Sequence, residues 1–266
     1  FLAYARKLQL IPDSWAGKKN EIRQYIMSQT DGDDHWQKLQ GLVYSKGILE
    51  ACLFPGVYRF LWRCNIREIT VEVVSHKSEF GHFDKDGVSL RQVALEFLEK
   101  SAIFSGTPDT MLNSVEFCST QKEKITRISR NNYDWFIDDL PEIVESEEFP
   151  ESTKTLGFDP NADTDFGPKI SLCSWDGIGH YLLGNWRIKE LLTTASRVAD
   201  KEAILAEWIG AGGNAGVVRV KFIDGTEAAM KIYPNDIQHD RLYSEYVSTK
   251  ILRKYKETKI PKGIGF

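Results

Sequence analysis

DWFIDDLPEIV, residues 134–144, sets the apolar triplet Trp135, Phe136 and Ile137 directly before two adjacent carboxylates, Asp138 and Asp139, and then Leu140, Pro141 and Glu142. The apolar run has the length of a strand buried on both faces, and Pro141 stops it from continuing. Two acids at the carboxyl end of a buried strand are costly unless a cation lies beside them. Mg2+ suits that place, because it takes oxygen ligands from one or two carboxylates together with phosphate and water. The same residues also read as a turn and a helix N-cap, with Glu142 near the third helical position. Both readings can hold at once, one acid capping while the other faces a metal.

Outward from this stretch, other short apolar runs alternate with helical patterns. EITVEVV (68–74) is β-branched and stops at Ser75-His76-Lys77. VEFC (115–118) stops at Ser119-Thr120, and a helix carrying Lys122 and Lys124 follows. KTLGF (154–158) is a weaker strand closed by Asp159-Pro160. Helices are expected over 89–100 and 122–130. Such alternation predicts an α/β domain with a parallel sheet, whose ligands sit at the carboxyl ends of the strands. Those ends carry a hydroxyl (Ser75), a lysine (Lys124) and the acid pair, a set suited to phosphoryl chemistry: Ser75 to bond a phosphate oxygen, Lys124 to neutralise developing charge, the acids to hold a metal. Each residue also has a plainer reading, Ser75 as a helix cap and Lys124, or its neighbour Lys122, as a solvated lysine.

Before Glu68 the chain reads as helical: a first helix ending near Leu8 to Pro12, a second from Lys18 to Met27, a long one from Trp36 to Leu53, and another opened by Pro55. The Asp31-Gly32-Asp33-Asp34 cluster lacks the later glutamate of a calcium loop and reads as a loop and cap. Phe1 opens directly into a helical pattern and the last residues, IPKGIGF (260–266), read as the start of a strand, so a fragment of a longer protein is expected. The 266 residues carry a net charge of −4 with basic residues scattered, which argues against a nucleic-acid face. Four dispersed cysteines form no CxxC pair and are expected as reduced thiols, most of them buried. With no membrane-length apolar run and no signal pattern, a soluble cytoplasmic protein is expected, with neither nucleic acid nor membrane as partner.

VSHKSE (74–79), TQKEKITRI (120–128) and FIDDLPEI (136–143) resemble motifs two, three and four of the haloacid dehalogenase superfamily, in its phosphatase-like branch. The likeness covers roughly residues 1–175 and implies a Rossmann-like parallel sheet flanked by helices. It also implies Ser75 and Lys124 on the substrate phosphate, and Asp138 or Asp139 on Mg2+. An aspartyl-phosphate intermediate is the family's route. Its nucleophile is the first Asp of a DxD motif on the first strand. This sequence departs there: Asp31-Gly32-Asp33 follows a helical run and Asp163-Thr164-Asp165 lies in a loop, so the nucleophile strand is expected upstream of Phe1 or the domain is catalytically silent.

Residues 176–205 read as a connector and an amphipathic helix (186–198), after a Gly, Asp and Pro-rich stretch from Asn161 to Gly184 with one short strand near 170–174. Asp165-Phe166-Gly167 matches the kinase metal-binding tripeptide by coincidence, since it precedes the glycine loop and strand lysine it should follow. From Ala206, WIGAGGNAGVVRV (208–220), a hairpin signal at Asp224-Gly225, and AAMKIY (228–233) follow. Glycines can bring backbone N–H groups close to phosphate, and a strand lysine can reach the α and β phosphates. Gly212-Gly213-Asn214, Lys231, and a helix from Arg241 to Tyr255 with Glu245 resemble the amino-terminal lobe of the aminoglycoside phosphotransferase and choline kinase-like family. That likeness implies an incomplete α+β small lobe over 206–266, binding ATP with Lys231 positioned by Glu245. The two resemblances together imply phosphoryl transfer on a phosphorylated small-molecule substrate. The runner-up is a silent binding or regulatory module attached to a kinase.

Overall fold

Helical periodicity governs the first fifth of the chain. α1 (Leu2–Lys7), α2 (Lys19–Met27) and α3 (Gly32–Tyr44) bury Ala5, Ile22, Ile26, Trp36 and Leu39 in one cluster. The long helix expected to Leu53 stops at Tyr44. Ser45 leaves helical geometry, and a 3-10 turn (Lys46–Glu50) containing the helix-poor Gly47 takes over. α4 (Val57–Ile66) follows.

β1 (Glu72–His76) runs parallel to β2 (Ser114–Cys118), with Ser75 opposite Phe117, and α5 (Leu90–Lys100) forms part of the crossover that a parallel pair requires. The strand expected to begin at Glu68 begins four residues later, because Glu68 takes a left-handed φ of 60° in the turn after α4. Ser75 therefore lies inside β1 rather than just beyond it. α6 (Gln121–Asn131) packs on β1 and β2 and leads to β3 (Trp135–Asp138). After the single-turn α7 (Pro141–Val144), β4 (Lys154–Phe158) pairs in parallel with β3, and the two-residue β5 (Ser171–Leu172) lies beside β4. The parallel pairing is thus divided between two sheets, ordered β1-β2 and β3-β4-β5, instead of forming one layer.

The segment read as a connector contains a helix, α8 (Trp175–Leu183), capped by the Ser174 hydroxyl, which accepts the Gly177 N–H at 3.1 Å. Its Asp-Gly-Ile-Gly text looks like a turn, but Ile178 is fully buried. α9 (Ile188–Ala199) then packs on an antiparallel meander of β6 (Ala203–Gly212), β7 (Ala215–Phe222) and β8 (Glu227–Ile232). Leu191, Ala195, Ala206, Val218, Val220 and Phe222 form that core. At the β7–β8 turn, Gly225 has φ +81°, and Asp224 accepts the Thr226 N–H at 3.0 Å and an ammonium hydrogen bond from Lys201 at 2.6 Å.

This computed structural model describes residues 1–81, 87–105, 110–212 and 215–233. The chain divides into two compact units. The first takes Phe1–Leu53, Thr70–Asp159 and Asp163–Ser171; the second takes Phe54–Ile69, Pro160–Ala162 and Leu172 onward. Both are mixed in secondary structure, giving an α/β protein with parallel and antiparallel sheets. Among the described residues no helix is long and apolar enough to cross a membrane. All four cysteines are free thiols; Cys64 and Cys118 are buried, whereas Cys52 and Cys173 are exposed, against the expectation that most would be buried.

Candidate functional site

In the first unit, α6 is fixed at its start by a reciprocal cap. Thr120 Oγ1 accepts the Glu123 N–H at 3.1 Å, and the Glu123 carboxylate accepts the Ser119 N–H at 2.8 Å. The cap sets the helical phase, so that Lys124 falls on the inward stripe with Ile125 and Ile128. Lys124 Nζ donates to Asp138 Oδ2 at the carboxyl end of β3, and it also lies 5.4 Å from the Phe136 ring centroid. The other Asp138 oxygen accepts the Leu140 N–H at 3.1 Å, closing a side-chain turn ahead of Pro141. The two charged side chains are only 7% and 6% exposed, so water does little to screen them. Burial pushes the Asp138 carboxyl above its usual value; Lys124 pulls against it, and neighbouring Asp139 adds to the rise.

Lys124 and Asp138 are thus brought together, as a direct ion pair rather than as a free lysine beside a metal-bound acid. Asp139 is exposed, with no hydrogen-bond partner among the described residues. Ser75 is half-buried in β1, and its hydroxyl bonds neither Lys124 nor Asp138. Ser75 and Asp138 do share a polarity: each lies near the carboxyl end of a parallel strand, and α6 starts just beyond the carboxyl end of β2. Magnesium needs six oxygen ligands near 2.0–2.1 Å. Both Asp138 oxygens are engaged, and no group of three or more His, Cys, Asp or Glu that could hold a metal occurs among the described residues. The residues present do not by themselves make a Mg2+ site.

In the second unit, β8 alternates strictly. Met230 packs toward α9, while Lys231, opposite Val217 on β7, points to the other face of the sheet and is exposed. Gly212 ends β6, opposite Ala215 of β7. Gly213, Asn214 and Glu245, together with the helix expected over 241–255, lie outside the described residues.

Among the described residues of this unit, the most heavily bonded charged cluster is one that the sequence reading did not single out. Glu190, fully buried in α9, accepts from Arg63 Nε at 2.8 Å, Arg67 Nη2 at 2.7 Å and the Arg187 N–H at 2.6 Å. The two guanidiniums also bond the carbonyls of Leu183, Gly184 and Asn185 at and just beyond the end of α8. Burial pushes Glu190 upward, but the two arginines and the Arg187 N–H outweigh it and hold the carboxyl below its usual value. The signal available in sequence was the i, i+4 spacing of Arg63 and Arg67 on an otherwise apolar helix.

No protein-family model matches the chain, and neither the curated proteins nor the solved structures contain a significant match to it.

Proposed function

We propose that the first unit is a phosphoryl-transfer domain of haloacid dehalogenase type, acting on small phosphate esters, and that the meander of the second unit is a nucleotide-contacting lobe. One observation carries the first part: a lysine–aspartate pair, almost wholly buried, at the carboxyl end of a parallel strand. A buried ion pair adds little to stability compared with an apolar pair of the same size, so its presence favours a chemical role. In that role Lys124 holds the transferring phosphoryl oxygens and Asp138 keeps the ammonium charged and aimed. Ser75 offers a hydroxyl from β1. Asp139 adds an exposed carboxylate beside the pair. β1 and β3 are each at the edge of their sheet among the described strands, and a strand carrying the carboxylate nucleophile would pair at such an edge.

Lys231 supports the nucleotide reading because it lies on the sheet face opposite α9, on a strand from which a lysine can reach ATP phosphates. A silent binding module is the second reading. It is favoured by the engagement of both Asp138 oxygens within the protein. Hydrolysis of p-nitrophenyl phosphate with Mg2+, compared with Ser75→Ala, Lys124→Met and Asp139→Asn, separates the two. Turnover lost in all three folded variants supports the enzyme. Phosphate binding without turnover supports the module, and turnover untouched by all three defeats the site.

A further inference from the structure

The second unit holds a half-open cavity of about 180 Å³ among α4, α8, the segment joining α8 to α9, and the end of β8. Its apolar wall is aromatic. Phe60 and Trp175 meet at a tilt of 48° with ring centroids 5.3 Å apart, and Trp186 lies under the Arg63 guanidinium at 4.8 Å. Its polar wall is cationic. Arg63 is 5% exposed, with Nε bound to Glu190 and Nη2 to two carbonyls; its Nη1 has no partner among the described residues. Arg59 uses Nη1 for the Tyr233 carbonyl at 2.6 Å and, more loosely, for Asp176 at 3.4 Å, while its Nε and Nη2 have none among them. Gly179 keeps the space open beside these groups: a Cβ there would lie 3.7 Å from Phe60 and 3.9 Å from Arg63 Nη1.

The charges do not cancel. Among the described residues, three guanidiniums (Arg59, Arg63, Arg67) face two carboxylates (Asp176, Glu190), leaving one positive charge beside the cavity. A partly desolvated guanidinium with open N–H groups favours a planar oxyanion, and the surrounding rings favour a flat apolar body. Burial lowers the Arg59 guanidinium from its ordinary value, a shift that an adjacent anion would oppose. Size narrows the choice, since an apolar cavity of about 150 Å³ takes up benzene, whereas drug-sized ligands need about 300 Å³ or more.

We propose that this cavity binds a small single-ring aromatic carboxylate, its ring among Phe60, Trp175 and Trp186 and its carboxylate held by Arg63 Nη1 and the open edge of Arg59. The site is separate from the Lys231 face and does not depend on the phosphoryl-transfer reading.

Calorimetric titration of the full chain with benzoate, benzyl alcohol, acetate and inorganic phosphate tests it. Benzoate should bind at least about tenfold more tightly than each of the others, the difference expected for one charge-assisted contact or one buried ring. Arg59→Met should weaken benzoate about tenfold, and Gly179→Ala, which adds one methyl group at ordinary contact distance, should weaken it less. Circular dichroism establishes that both variants fold; if Arg59→Met does not, Gly179→Ala decides alone. Benzyl alcohol equal to benzoate removes the anion, and acetate or phosphate equal to benzoate removes the ring. No benzoate binding, or binding unchanged in the folded variants, overturns the proposal.

Discussion

Replacing Lys124 by Met and Asp138 by Leu, singly and together, separates a pair kept for stability from a pair kept for chemistry. Each single change strands a charge in a site where the side chains are 7% and 6% exposed. Breaking a buried pair in this way costs about 3–5 kcal/mol, a large share of the ~5–15 kcal/mol that holds a typical domain together. The two losses should differ. In Lys124→Met the Asp138 carboxyl, already raised by burial, can take up a proton and shed its charge. Its loss should therefore be the smaller at low pH and grow as pH rises. A raised folded-state pKa means that the folded chain retains a proton the unfolded chain has released, so stability falls as pH climbs from 3.8 through the folded value. The double variant replaces both charges with apolar groups of similar size and should be neutral or more stable than the parent by about 1–4 kcal/mol. Urea unfolding followed by circular dichroism, with amide exchange in α6 as a local reading, measures all four proteins. A double variant as unstable as the sum of the singles would refute the argument. A stable double variant without phosphatase activity would show why the pair is retained.

Glu190→Gln should cost about 3–5 kcal/mol, because it leaves Arg63 and Arg67 facing each other across a fully buried residue; a loss below about 1 kcal/mol in urea unfolding would contradict the cluster's role. The pH sign is opposite to that of Asp138. Glu190 is depressed below 4.5, so its stabilisation is complete above that value and disappears as pH falls through the folded value, a slope absent from Glu190→Gln in acid titrations of stability. Lys231→Ala should weaken ATP binding by the full chain at least about tenfold in equilibrium titration, with the sheet intact by circular dichroism.

Much of the secondary structure was legible in the sequence. β4 lies where its β-branched and apolar residues place it, β3 covers the apolar triplet and ends one residue beyond it at Asp138, and the Asp224-Gly225 turn joins two antiparallel strands. Local signals failed where local chemistry was ambiguous. Glycines 177 and 179 disguised α8, whose capping serine and buried Ile178 fix it only once α4 packs against it. Ser75 was placed beyond its strand because the turn at Glu68 depends on a left-handed backbone that no residue type announces.

The sequence by itself determined the alternating elements, the apolar stripes, and the positions of Ser75 and Asp138 near strand ends and of Lys124 in the first turns of a helix, because periodicities of 2 and 3.6 are properties of neighbours along the chain. Only the tertiary structure decided that Lys124 binds Asp138 directly, that the parallel strands divide between two sheets, and that Arg63 and Arg67 share Glu190 around the end of α8. Those outcomes join residues 14 to 127 positions apart, and a charge in the interior is governed by what packing brings within a few ångströms of it.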